Sequence, residues 1–209
     1  MPNYGDQHRA QAARGSAGGP GGGYGGSGSV GSPGASGGSG SGFGGGWTTT
    51  ETEAMRRGLE RQLGPEYISV RPAPGGARVH YLEGWKAINL ANEVFGFNGW
   101  SSEIKNVQVD YMHESSEGRV HLGLSVTVRV TLRDGAFHED IGYGHVENAR
   151  AKHMAFDKCK KEATTDALKR ALRSFGNVLG NCLYDANYIK NVTKVAVPPR
   201  PFDPGLLHR

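Results

Sequence analysis

Thirteen consecutive residues, VHLGLSVTVRVTL from Val120 to Leu132, alternate between apolar and polar without a break. Val120, Leu122, Leu124, Val126, Val128, Val130 and Leu132 fall on one side. His121, Gly123, Ser125, Thr127, Arg129 and Thr131 fall on the other. A repeat of two is the side-chain period of a β-strand, so the segment predicts a long strand with one buried and one polar face. Such a strand needs partners and a cover. Ile104, Val107, Val109 and Tyr111 predict a strand before it, across a turn near Ser115 to Gly118. Asp134-Gly135 is a hairpin signal, and Phe137 to Gly144 predicts a third strand. The cover follows in sequence. Phe156, Cys159, Ala163, Ala167, Leu168, Ala171, Leu172, Phe175 and Leu179 form a broad apolar face on a helix from Glu147 or Ala151 to Leu179. The expected fold class is α+β: a twisted antiparallel sheet (a β-β-β-α core) carrying a long basic amphipathic helix on its apolar face.

Upstream, Thr50 and Glu53 fit a capping box for a short helix with Met55, Leu59 and Leu63 on one face, stopped by Gly64-Pro65. Tyr67 to Arg71 and Arg78 to Leu82 predict a hairpin around the Pro/Gly-rich turn. A second helix opens at Gly84 and ends before Gly96. A last short helix is expected over Tyr184 to Ile189. Residues 1–46 hold 19 of the 34 glycines and almost no large apolar residues, so they predict a disordered Gly/Ser-rich tail, punctuated by Tyr24 and Phe43. The expected organisation is a tail over 1–46, one folded domain over 47–190, and a Pro-rich extended tail over 191–209.

Function classes narrow by exclusion. The two cysteines, Cys159 and Cys182, belong to no CxxC or CxxH pair, which argues against a disulfide framework or zinc site. No apolar run suggests a signal peptide or membrane span. There is no P-loop or HExxH motif, and no Ser nucleophile sits in a GxSxG elbow. His138, Glu139 and Asp140 are neighbours on a predicted strand, so their side chains alternate between faces and cannot converge. No catalytic residue, metal or cofactor is expected, and the chain reads as a non-enzyme.

The formal net charge is +4, and between Arg150 and Arg173 eight Lys or Arg stand against three acids (Asp157, Glu162, Asp166), a net of +5. On a helical projection Lys158, Lys169 and Arg173 lie within roughly 60° of one another, and Arg170 roughly 60° further round. Such a stripe can follow a phosphate backbone, each neutralised phosphate releasing counterions. A solvated helix face accounts for the same charges.

Four segments carry a resemblance. LGPEYIS (Leu63 to Ser69), INLANEVFGFNGW (Ile88 to Trp100), HEDIGYG (His138 to Gly144) and KKEATTDALKRALRSFGNVLGNCLYD (Lys160 to Asp185) closely resemble the N-terminal domain of the Rad52 family. These are eukaryotic single-strand annealing proteins of homologous recombination and double-strand break repair. The resemblance covers about residues 51–190, and GYGHVEN is closer to fungal than to animal members. It implies a homo-oligomeric ring, nuclear location and single-stranded DNA held in a basic groove, with double-stranded DNA as a further ligand. By resemblance, the inner groove maps to Arg71, Lys169, Arg170 and Arg173, with Tyr81 as a groove aromatic or a core tyrosine. An outer site maps to Arg119, Arg150 and Lys152. Arginine stands at the first two of these where lysine is common, which keeps charge while changing geometry. Family members continue into a region that binds the recombinase and the single-strand-binding protein. This chain ends at Arg209, so those contacts are expected to be absent or reduced. Two other readings compete: an RNA-binding module, whose RRM signature is missing, and a structural oligomer with a solvated basic surface.

Overall fold

The computed structural model describes residues 46–197, 199 and 202–208. The expectations for the Gly/Ser-rich tail, Tyr24 and Phe43 included, and for Pro198 and Pro201 lie outside the described residues. The first helix, α1 (Thr49–Glu60), is capped by Thr48 and Glu51, two residues before the expected pair. Thr48 N donates to Glu51 at 2.8 Å and Glu51 N to the Thr48 hydroxyl at 3.3 Å. Long-range contacts choose this start. Arg133 stacks on the Trp47 ring at 3.9 Å and pairs with Glu51 at 3.6 Å. The helix also stops earlier than its apolar spacing suggests. Leu63 lies beyond it, buried in the core on an extended segment.

Strands β1 (Ile68–Pro72) and β2 (Arg78–Leu82) form an antiparallel hairpin in which Arg71 faces Val79 and Ser69 faces Tyr81. Helix α2 (Gly84–Phe95) follows, ended by Gly96 at φ 83°, a left-handed backbone that glycine adopts without a Cβ penalty. The main sheet is the expected meander, β3 (Trp100–Glu114), β4 (Val120–Leu132) and β5 (Phe137–Ala149), antiparallel and in that order. Even-numbered residues of β4 are all buried, as the alternation requires. β5 runs five residues past the expected Gly144, because Val146 and Ala149 still pair with Leu122 and Val120.

Helix α3 (Lys152–Arg173) lies over β4 and β5. It presents a buried row of small residues, Ala155, Cys159, Ala163, Ala167 and Ala171. Gly142 and Gly144 of β5 meet this row so closely that a Cβ on either would lie 2.2 Å from α3 backbone atoms. α3 ends at Arg173, six residues before the expected Leu179. Gly176 packs against Leu59 of α1, with room for no side chain, and a 3-10 turn (Asn177–Leu179) replaces the last helical turn. The final helix, α4 (Ala186–Val192), begins two residues later than expected. Asp185 caps it by accepting from Asn187 N and Tyr188 N. Tyr184 therefore belongs to a separate 3-10 turn, Asn181–Tyr184. No helix among the described residues is long and apolar enough to cross a membrane.

Tyr188 ties α4 to the core by donating its hydroxyl to the Leu63 carbonyl. Burial pushes this hydroxyl well above the ordinary tyrosine range. A raised folded-state pKa contributes stability that is fully present below the unfolded value of about 10 and lost as pH rises above it. Tyr188→Phe is expected to cost about 1 kcal/mol at pH 8, the usual net worth of a hydrogen bond. The gap from wild type should narrow above about pH 10, because phenylalanine does not ionise. Urea melts at the two pH values check this, and a constant gap would remove Tyr188 from the alkaline response.

Candidate nucleic-acid interface

The β1–β2 hairpin stands beside the C-terminal turns of α3, and together they line a cavity of about 420 Å³. Arg71, Tyr81, Lys169, Arg170 and Arg173 all line it, so one groove unites residues from an early strand and a late helix. Lys158, on the same side of the helical projection, does not line the cavity. The register explains the gathering. Arg71 and Tyr81 lie on one face of the hairpin, since Arg71 pairs with Val79 and Ser69 with Tyr81. Lys169 and Arg173 are one turn apart on α3.

The cations are held by two kinds of partner. Tyr81 serves the first pair, with Arg71 at 5.7 Å and Lys169 at 5.8 Å from its ring centroid. Asp140 of β5 serves the second pair. Arg170 Nε donates to its Oδ1 at 3.0 Å, and Arg173 Nη2 lies 3.8 Å from its Oδ2. Arg173 also stacks on Tyr184 at 4.3 Å. Each guanidinium approaches Asp140 through one nitrogen, and a guanidinium carries five N–H donors in all. Burial holds the Lys169 ammonium below its ordinary value; nearby Asp166 opposes this and Arg71 adds to it. Crowded, partly desolvated cations of this kind gain from an incoming anion.

Sequence reasoning missed Tyr184, which lines the groove, and Asp140, which does not line it but pairs with two of its arginines. Strand parity could have found Asp140, because it shares the helix-facing side of β5 with Gly142 and Gly144. The expected divergence of the acidic triplet holds. His138 meets the Phe175 ring edge-to-face at 4.5 Å on the helix side, while Glu139 pairs with Arg129 on the other. Tyr184 carried no sequence signal, since it was read as the start of a helix.

Arg119, Arg150 and Lys152 are not in the groove. They gather at the other end of the sheet, where Val120 pairs with both Glu114 and Ala149. Lys152 opens α3 and Arg173 closes it, which at 1.5 Å per residue separates the two sets by about 30 Å. Glu114 pairs with Lys152 at 2.7 Å and neutralises part of this second cluster.

Residues 51–202 match the family described as Rad52/22 family double-strand break repair protein. The chain is 63% identical over 164 residues to the DNA repair and recombination protein radC of Emericella nidulans, a match covering 78% of this chain and 28% of the relative. It is 61% identical over 160 residues to rad22 of Schizosaccharomyces pombe, covering 76% and 34%. It is 60% identical over 151 residues to RAD52 of Eremothecium gossypii, covering 72% and 34%. All three relatives are named as DNA repair and recombination proteins, and the chain spans about a third of their length. The groove at the β1–β2 hairpin and the β3–β4–β5–α3 core both lie within the matched residues, and the chain belongs to the Rad52/22 family of double-strand break repair proteins.

Proposed function

We propose that residues 47–190 form a domain that binds single-stranded DNA in the groove and anneals complementary strands in the nucleus, without nucleotide hydrolysis. The observation that carries this reading is the convergence of Arg71, Lys169, Arg170 and Arg173 on one cavity with a tyrosine ring close to the first two. Four cations on one track suit a phosphate backbone, and no base-reading element is required for sequence-independent grip. Annealing makes and breaks no covalent bond. It requires strands held extended with base edges free to pair. The cluster of Arg119, Arg150 and Lys152 is the second contact, suited to double-stranded DNA or a second strand. Contacts to a recombinase or single-strand-binding protein are assigned to none of the described residues.

Self-assembly into a ring is part of the proposal. Ile104, Val107, Val109 and Met112 of β3 pair with Val128, Val126, Leu124 and Leu122, so they share the apolar face of the sheet. α3 covers that face only over β4 and β5. The four side chains remain 46–54% exposed. An apolar edge strand left open in this way is a liability in a monomer and suits burial against a second copy. Closure into a ring avoids open filaments.

The test is strand annealing with complementary oligonucleotides in the absence of nucleotide, beside light scattering of the same preparation. Annealing well above the spontaneous rate is expected from a particle of many chains. A monomeric mass at micromolar concentration overturns the assembly, and spontaneous-rate annealing by an intact oligomer overturns the annealing function.

A further inference from the structure

We propose that Tyr184 is a stacking platform for a nucleobase of the bound strand, at the wall of the groove. The inference rests on reading the cavity as a single-stranded DNA groove, and adds to its phosphate contacts a contact to the bases. Tyr184 lines the same cavity as the four cations. Its backbone is anchored on both sides. Cys182, two residues before it, is buried in the core, and Asp185, next after it, caps α4. Yet its own side chain is 69% exposed. A large ring is therefore presented to water from a rigid turn, at low entropic cost for a ligand that covers it.

The two groove tyrosines differ in what remains free. Tyr81 is half-buried with two cations, Arg71 and Lys169, within 6 Å of its ring centroid, so its ring is already engaged by charge. Tyr184 has one cation, Arg173, at 4.3 Å from the ring centroid. A guanidinium over one face of a ring this exposed leaves the opposite face open. A flat aromatic ligand fits that face, and a nucleobase is the flat group that accompanies a phosphate track. Stacking occupies the base's face and leaves its pairing edge free, as annealing requires. The ligand class is thus any nucleobase, without sequence preference, because every base has a π-face. Arg173 joins the two contacts, since one guanidinium can stack on Tyr184 and still donate to phosphate.

The test separates base from phosphate. The full chain is titrated by fluorescence anisotropy with a labelled oligothymidylate, and with a strand of equal length made of abasic sites. Tyr184→Leu keeps an apolar side chain but removes the ring. It is expected to lose at least about fivefold in affinity for oligothymidylate, the lower end of what one stacked base contributes. Its affinity for the abasic strand and its salt slope should stay at wild-type values. Tyr184→Phe and Tyr184→Trp should retain binding to both strands. Equal losses on both strands would mean that Tyr184 acts only by holding Arg173 or the turn, and unchanged binding to oligothymidylate would mean that no base stacks there. Either result overturns the proposal. Arg173→Ala provides the separate check on the groove itself: loss on both strands with a flatter salt slope supports it. Wild-type binding that Arg173→Ala leaves intact overturns the groove reading, whatever Tyr184 does.

Discussion

Replacing Gly144 by valine is expected to lower the stability of the fold by about 3 kcal/mol or more, the upper range for forcing atoms into a packed core. The reason is the distance between β5 and α3. A Cβ at Gly144 would lie 2.2 Å from the Cys159 carbonyl oxygen, and one at Gly142 would lie 2.2 Å from the Ala163 carbonyl oxygen and the Ala167 nitrogen. These are backbone atoms inside a 22-residue helix, so no side chain can swing aside. The helix must lift from the sheet, which exposes Leu122, Leu124 and Val126, all buried on the covered face. At roughly 2–4 °C per kcal/mol for a domain of this size, the melting temperature should fall by about 6–12 °C. Gly58 is the internal control. It lies within α1 with open space around it, so Gly58→Ala should stabilise by about 0.5–1 kcal/mol. A Gly144→Val protein that melts with wild type would show that the helix–sheet spacing is softer than its backbone contacts require.

Removing both cations close to the Tyr81 ring should produce the largest loss of DNA binding. Arg71 and Lys169 come from different elements, and each rests about equally far from the same ring. Among the described residues neither has a carboxylate within ion-pair distance, whereas Arg170 and Arg173 share Asp140. Charge-assisted hydrogen bonds contribute about 1.5–3 kcal/mol each. The double variant Arg71→Ala/Lys169→Ala is therefore expected to bind single-stranded DNA about a hundredfold or more weakly. The slope of log affinity against log salt should flatten by about 1.4, that is 0.7 for each lost phosphate contact on a single strand. The losses should be alike for oligonucleotides of any sequence. Removing Lys169 also relieves a desolvated ammonium. The variant should therefore melt no lower than wild type, which keeps the binding result interpretable. An unchanged salt slope in a folded variant would mean that these two residues do not touch phosphates, and the stripe would revert to solvated surface.

Several features were legible before any coordinates, and for one reason: they are set by local periodicity. β4 has the expected bounds because thirteen residues repeat at the strand period with no interruption. β2 and α2 also begin and end where Gly, Pro and the apolar spacing put them. The meander follows from two turn signals between three such runs. Arg71, Lys169, Arg170 and Arg173 were legible as a set only through family resemblance, because nothing local links a residue on β1 to three residues on α3.

Tertiary contacts decided the rest. α1 starts at Thr49 because Trp47 and Glu51 meet Arg133, more than 80 residues away, and Thr48 and Thr50 offer equivalent local caps. α3 stops at Arg173 because Gly176 must pass against Leu59, although the apolar period continues to Leu179. Gly142 and Gly144 let a helix backbone lie directly on a strand, which no local pattern announces. Asp140 became the partner of two groove arginines only when β5 set its carboxylate beside α3. A single sequence specifies period, turn and charge, since these act between near neighbours. Which cation faces which carboxylate or ring depends on how separate elements pack, and only the folded chain brings those groups within reach of one another.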